Sequence, residues 1–165
     1  VTALQVDAVI ESGVDLVALG VGCPPDVVRR VKQAGKTTLA LVGQEKHAAK
    51  ALQAGADILV AQGSDAGGHT GPVGTFSLVP RIVDMAGDVP VLAAGGVATG
   101  RHIAAALSFG AVGVWIGTAF LLTHENASHL TSNEIAALQQ AQATDTVITR
   151  AESGKTFRQT RVARS

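Results

Sequence analysis

The chain has 165 residues, no formal net charge at pH 7 and 47% hydrophobic content, which suffices for one domain with a sizeable core. Charged residues make up only 16% and their signs balance, so the composition gives no reason to expect a nucleic-acid partner or an anionic membrane surface. A single cysteine excludes an intrachain disulfide framework, and without a signal peptide or a long apolar run the expected compartment is the cytoplasm.

Short apolar runs and helical patterns alternate along the chain. Runs rich in branched aliphatic residues and bounded by glycine predict buried strands over residues 15–19, 37–42, 57–61, 90–94 and 112–116. The segments between them predict helices over residues 26–34, 44–54, 77–85 and 101–109. These helices end at glycines, as helix C-termini commonly do: Gly35, Gly55, Gly87 and Gly110.

This alternation predicts parallel strands joined by right-handed crossovers. Two α/β architectures fit the pattern: a (β/α)8 TIM barrel and an open, doubly wound sheet. A barrel needs eight strands, so the five β/α units here would be its C-terminal part, without the first three. The chain begins at Val1 and its first residues already have a helical pattern, which also leads us to expect a fragment.

The pattern weakens after Thr123. Residues 132–143 predict a polar helix, and the stretch SGKTFRQTRVARS predicts a basic, irregular tail with a solvated or frayed end. A functional alternative would place Lys155 or Arg158 near an anionic group. We therefore divide the chain into a barrel part, residues 1–125, and a helical and basic tail segment, residues 126–165.

Three predicted strands are followed by glycine-rich loops: QGSDAGGHTG, AAGGVATG and GVWIGTAF. In a barrel these loops lie on the C-terminal face, where active sites are built. Gly95, Gly96 and the helix opening near Thr99 are suited to hold phosphate oxygens, because glycines allow backbone N–H groups to approach a ligand. Gly117 and Thr118 would add donors from the next strand end. The two adjacent loops favour a phosphate-bearing ligand over simple tight turns.

His69 is the candidate catalytic residue. It follows a strand within a glycine cluster, and imidazole titrates near neutrality, which suits a general base or a hydrogen-bond donor. Asp65 would either orient this ring or cap the next turn. A surface position is expected for the remaining histidines, His47, His102, His124 and His129. We interpret Cys23 as a small apolar residue, not a reactive thiol.

The three loop motifs, in this order, resemble those of the nitronate monooxygenases, formerly called 2-nitropropane dioxygenases. These are FMN-dependent TIM barrels. The resemblance runs from about Gly13 to Thr123 and includes the later stretch GKTFR. It implies that His69 is the active-site histidine, which removes the α-proton of a nitroalkane or positions a nitronate. It also implies a set of FMN-binding residues: Gln62, Gly67, Gly95, Gly96, Trp115, Ile116, Gly117 and Thr118.

The resemblance implies oxidation of alkyl nitronates or nitroalkanes with O2 to carbonyl compounds and nitrite. The partners would be this small-molecule substrate and O2, and the sequence leaves a homodimer open. Three alternatives remain: an FMN-dependent enoyl-acyl-carrier-protein reductase using NAD(P)H, a non-catalytic flavin- or phosphate-binding fragment, and a phosphosugar-binding barrel. The family's first strand, its early asparagine and an insertion that many relatives have after the histidine loop are not found in this sequence.

Overall fold

The structure is a computed structural model that describes residues 3–20, 22–127, 129–151 and 153–160. Its helices are α1 (Ala3–Glu11), α2 (Pro25–Gln33), α3 (Glu45–Ala54), α4 (Thr75–Ala86), α5 (Gly100–Ser108), α6 (His124–Ala127) and α7 (Ser132–Gln140). Its strands are β1 (Leu16–Leu19), β2 (Thr37–Val42), β3 (Ile58–Gln62), β4 (Gly68–His69), β5 (Val91–Ala94), β6 (Gly113–Trp115), β7 (Thr146–Thr149) and β8 (Phe157–Thr160).

The five strands predicted from the apolar runs form one parallel sheet in the order β1-β2-β3-β5-β6. Each strand therefore pairs with the next predicted strand along the chain, joined by a helix. The predicted helix positions are confirmed, with shifts of one or two residues at most ends. The helix predicted over residues 132–143 ends earlier, at Gln140, and a 3-10 helix follows at Ala143–Asp145.

The helices cover one face of this sheet. Alternate strand residues such as Ala40, Leu59 and Ala93 pack with buried residues of α3, α4 and α5 in one core cluster. Their neighbours on the opposite face, such as Leu39 and Val60, form a separate cluster that contains no helical residue. A doubly wound sheet carries helices on both faces and reverses its strand order. The one-sided helix layer and sequential order are those of a barrel segment.

The C-terminal segment forms a second, antiparallel sheet with the order β4-β8-β7. Its register places His69 opposite Phe157 and Gly68 opposite Arg158. The prediction of an irregular, frayed tail is therefore wrong for β8, Phe157–Thr160, whereas residues 153–156 are irregular as predicted. Pairing with the histidine loop explains the difference, because β8 finds hydrogen-bond partners about ninety residues earlier in the chain. The rest of the predicted tail, residues 161–165, lies outside the described residues.

The edges of the parallel sheet carry exposed apolar side chains, as expected for an open barrel segment. Leu16 of the edge strand β1 is 43% exposed, and Val112, beside the opposite edge strand β6, is 64% exposed. Unpaired edges of this kind favour association with another strand. Among the described residues, no helix has the length and apolar character needed to cross a membrane.

We predict that Gly71→Ala destabilises the protein by about 1–3 kcal/mol, the usual cost of forcing extra atoms into a packed site. A Cβ on Gly71 would lie 2.3 Å from the carbonyl oxygen of Gly43, at the end of β2, so the histidine loop would be pushed off the sheet. Urea unfolding measures the change. Gly100→Ala is the matched control, because a Cβ there meets no atom within 4 Å, and it should be neutral or slightly stabilising. Equal costs at both positions would contradict the close approach.

Candidate active site

The loops after β3, β5 and β6 meet at the carboxyl edge of the parallel sheet. A Cβ on Gly67 would lie 3.0 Å from Oγ1 of Thr118, and one on Gly96 would lie 3.3 Å from Cβ of Asp65. The loop after β3, which carries His69, therefore touches both of the glycine loops from the neighbouring strands. This contact follows from the parallel arrangement, which places all the strand ends at one edge.

His69 is exposed at the end of β4 and is held at three points. Its Nε2 atom lies 2.7 Å from the Ser153 hydroxyl. The Phe157 ring packs against the imidazole in a T-shaped contact at 5.0 Å between centroids. The backbone carbonyl of His69 accepts a 3.2 Å hydrogen bond from the amide of Gln62, at the end of β3. Both the ring and its backbone are thus fixed by surrounding residues.

The Asp65 side chain caps the start of the next helix, α4, instead of orienting the histidine ring. Its Oδ2 atom accepts a 2.8 Å hydrogen bond from the backbone N–H of Thr75, the first residue of α4. This backbone hydrogen bond is the main cause that lowers the pKa of the Asp65 carboxyl below its ordinary value, and the nearby Arg158 charge lowers it further. Of the two predicted roles for Asp65, the structure therefore supports capping of the next helix and not orientation of the His69 ring.

Arg158 connects the second sheet to the histidine loop. Its Nε atom donates a 2.8 Å hydrogen bond to the carbonyl oxygen of Ser64, and Nη1 donates a 2.9 Å bond to Oγ1 of Thr146 on β7. Its positive charge is near enough to the Asp65 carboxyl to lower the pKa of that group. Arg158 therefore holds β7, β8 and the start of the histidine loop together, while the Lys155 side chain is exposed in the turn before β8.

The predicted phosphate loop has the shape of a cradle, with one difference in its donors. Gly96 has a φ of 71° and is exposed, and no loop hydrogen bond among the described residues uses its N–H or that of Gly117. The helix opening near Thr99 was also expected to hold phosphate oxygens, but the N–H groups of Ala98 and Thr99 there donate to Nδ1 of His102 at 3.3 and 3.1 Å. His102 is exposed, as predicted, but it also caps α5.

The donor set at this edge fits the phosphate end of FMN. The unused N–H groups of Gly96 and Gly117 come from adjacent strand ends, and a Cβ on Gly117 would meet no atom within 4 Å, so the space above it is open. Trp115 ends β6 at 39% exposure, and Ile116 follows it. Thr118 begins a short 3-10 helix. The structure thus brings the predicted FMN residues of all three loops to one edge.

A cavity of about 350 Å³ lies between α4 and α5, beside Gly95 and Gly96. Its wall is mainly apolar, and its rim includes Phe76 and Phe109, which stack in a T-shaped contact at 4.7 Å between centroids. His69 is not among its lining residues. The cavity therefore does not reach the His69 side chain, although it borders the predicted phosphate loop at the same edge of the sheet.

The remaining predicted residues agree with their expected roles. Cys23 is partly buried against both core clusters on the helical side, and burial raises the pKa of its thiol, so it has the character of an apolar side chain. The surface histidines His47, His124 and His129 are exposed. Partial burial, and after it the charges of Lys46 and Lys50, lower the pKa of His47.

Sequence reasoning missed Ser153 and Phe157 as neighbours of His69. The short alternating stretches TVIT and FRQT, separated by a turn containing Gly154, carry a signal for a hairpin. That signal indicates two strands but not their pairing with β4, which depends on contacts across most of the chain.

The one-sided helix layer and the sequential parallel strands define the chain as part of a TIM-barrel protein. In such barrels, active sites are built by the loops after the strands. A model of the family described as nitronate monooxygenase matches residues 2–164. The chain therefore belongs to the nitronate monooxygenase family, a family of oxidoreductases.

Two curated relatives carry different names. A "probable nitronate monooxygenase" of Staphylococcus aureus is 39% identical over 93% of this chain and 46% of its own length. A Rhodococcus jostii protein is 43% identical over 74% of this chain and 34% of its own length, and it is named as a dehydrogenase of an octahydro-indene-carboxyl-CoA compound. The chain spans less than half the length of either relative.

Solved structures confirm the barrel architecture. FabK from Thermotoga maritima superposes with a TM-score of 0.87 at 36% identity, covering 94% of this chain and 49% of FabK. Nitroalkane oxidase from Streptomyces ansochromogenes superposes with a TM-score of 0.86 at 32% identity, covering 94% of this chain and 48% of the oxidase. The chain thus has the fold of about half of each enzyme, which confirms the prediction of a partial TIM barrel.

We predict that Asp65→Ala lowers the free energy of unfolding by about 1 kcal/mol near neutral pH, the usual value of a helix cap. Because the folded state lowers the pKa of Asp65, its contribution is complete above the ordinary aspartate value of about 3.9. That contribution disappears as the pH falls through the lowered pKa. The stability difference between the wild type and the variant should therefore shrink between about pH 5 and about pH 2.

Thermal unfolding across this pH range measures the effect. Asp88→Ala, at an exposed aspartate just beyond the other end of α4, is the control and should show no such convergence. A wild-type advantage that stays constant as the pH falls would contradict a role for the Asp65 carboxylate at the start of α4.

Proposed function

We propose that the protein is an FMN-dependent nitronate monooxygenase that oxidises alkyl nitronates or nitroalkanes with O2 to carbonyl compounds and nitrite. The observation that carries the proposal is the exposed His69 ring beside a glycine-lined edge, held at Nε2 by Ser153 and by a T-shaped contact with Phe157. Membership of the nitronate monooxygenase family and the likeness to nitroalkane oxidase support an oxidase or monooxygenase role.

FMN would be held by residues of the three loops. The N–H groups of Gly96 and Gly117 would bind its phosphate, with Gly95 and Thr118 at their sides. The rest of the cofactor would contact the exposed Gly67 and the strand-end residues Gln62, Trp115 and Ile116. When bound, FMN supplies the redox chemistry and the reaction with O2. The protein's own residues bind and orient the reactants.

His69 would be the general base. A nitroalkane α-proton is acidic because the resulting negative charge spreads onto the nitro oxygens, so a neutral imidazole is a suitable acceptor. The ring is exposed, and its contacts with Ser153 and Phe157 restrict its orientation. A fixed base close to the substrate carbon lowers the entropy cost of proton transfer.

We predict that His69→Gln lowers kcat/KM for a neutral nitroalkane by about 10²–10⁴-fold, the usual contribution of a general base. With a nitronate prepared in advance, the proton is already gone, so the same variant should lose much less activity. Nitrite release from matched pairs, such as 2-nitropropane and propyl-2-nitronate, measures both values. His47→Gln, at an exposed histidine of α3, is the control and should leave both unchanged.

The pattern of losses distinguishes the roles of His69. Equal losses with both substrates would make His69 a residue that positions the nitronate and not a base. Rapid anaerobic bleaching of the flavin by NADPH, with no turnover of either nitro compound, would move the assignment to an enoyl reductase. Bound FMN without turnover on any of these substrates would indicate a non-catalytic flavin protein.

We predict that Gly96→Ala weakens FMN binding by about tenfold. The φ of 71° at this position costs an alanine roughly 1–3 kcal/mol, so the backbone would leave this conformation and its N–H would no longer face the phosphate. Gly35→Ala is the matched control: its φ is 73°, and it lies at the far end of α2. Titration of the apoprotein by flavin fluorescence gives both constants. Similar weakening in both variants would mean that lost stability, and not lost phosphate contact, explains the effect.

A further inference from the structure

The two nitrogens of the His69 ring have different surroundings. Nε2 lies 2.7 Å from Oγ of Ser153, whereas Nδ1 has no hydrogen-bond partner within residues 3–20, 22–127, 129–151 and 153–160. The Phe157 ring meets the imidazole nearly at right angles, with an interplanar angle of 87°. Rotation of the ring is thus opposed by packing and by one hydrogen bond, and a single nitrogen is left for a ligand.

We propose that Ser153 is a positioning residue that sets the tautomer of His69. In this arrangement the N–H at Nε2 donates to the serine oxygen, and the lone pair of Nδ1 is available to accept a proton. The proposal rests on the function proposed above, in which His69 is the general base. A hydroxyl suits this role because its oxygen accepts the ring hydrogen while its own hydrogen turns to solvent. In a neutral imidazole, the hydrogen bond at one nitrogen decides which form the other takes.

The turn that carries Ser153 is held by hydrogen bonds within it and to the end of β7. The N–H of Gly154 donates to the Arg150 carbonyl oxygen at 3.0 Å, and the N–H of Ala151 donates to Oγ1 of Thr149 at 3.0 Å. The following strand β8 pairs with both β7 and β4. The serine is therefore delivered to the histidine by a hydrogen-bonded hairpin that itself pairs with the His69 strand.

The first test uses the FMN-loaded protein with 15N-labelled histidine rings. Long-range 1H–15N spectra at about pH 9, where a free imidazole is neutral, report the two nitrogens separately. His69→Gln identifies the signals of His69. In the wild type we expect Nδ1 to have the shift of an unprotonated nitrogen. In Ser153→Ala we expect the ratio of the two tautomers to change by roughly two- to tenfold, the range of one net hydrogen bond.

The second test is kinetic. Ser153→Ala should lower kcat for the neutral nitroalkane by roughly two- to tenfold with little change in KM, since the ring is still present but less often in the active form. Ser153→Thr keeps the hydroxyl and should restore both the tautomer ratio and kcat. Ser108→Ala, the same substitution at a serine that bonds only within α5, is the control and should change neither.

The two readouts separate the proposals. An unchanged tautomer ratio in Ser153→Ala, or a wild-type Nδ1 that carries the proton, would overturn the role of Ser153 whatever the activity. A shifted ratio with an unchanged kcat on the nitroalkane would overturn it as well. If the wild-type protein fails to turn over either nitro compound, the proposed function fails, and the spectra alone then decide whether Ser153 sets the tautomer.

Discussion

The arrangement of the candidate site depends on the hydrogen bonds of Thr75. Its N–H donates to the Asp65 carboxylate, and its hydroxyl donates to the carbonyl oxygen of Gly95 at 3.0 Å. One residue at the start of α4 therefore fixes the loop after β3 relative to the loop after β5. The approach is so close that a Cβ on Gly63 would lie 2.3 Å from the Thr75 N atom, and one on Gly95 would lie 2.7 Å from its Oγ1. Both glycines are therefore required by packing, a reason that is separate from the predicted contact of Gly95 with phosphate.

The parts of the fold that depend on local patterns could be predicted from the sequence. The strands β1, β2, β3, β5 and β6 follow from apolar runs, and glycines with positive φ stand at the predicted helix ends, for instance Gly55 with a φ of 82°. The choice between a barrel and a doubly wound sheet could not be made from periodicity. Strands buried on both faces have the same apolar pattern whether helices cover one face or two. Packing of Leu39 and Val60 away from every helix decides it.

The parts that depend on distant pairing could not be predicted. The residue type and loop position of His69 identified it as the candidate base, but its partner Ser153 lies 84 residues later in an exposed turn. Asp65 was equally compatible with the ring and with the next helix, and only the geometry of Thr75 separates the two roles. His102 was expected only to lie on the surface. Its Nδ1 also accepts hydrogen bonds from the N–H groups of Ala98 and Thr99, and no sequence pattern indicates this capping role.

The site therefore combines two structures with different sources of order. The glycine cradle belongs to the parallel sheet, where Ala94 and Leu59 are buried and every strand is held by its neighbours. The His69 ring is instead oriented by the β7–β8 hairpin, whose strands contain no fully buried residue and which is joined to the histidine loop by the β4–β8 pairing and by Arg158. Local opening costs less free energy in exposed elements than in a buried sheet. Sequence change in the hairpin can therefore alter the orientation of His69, the proposed base, while the glycine loops proposed to hold FMN stay in place.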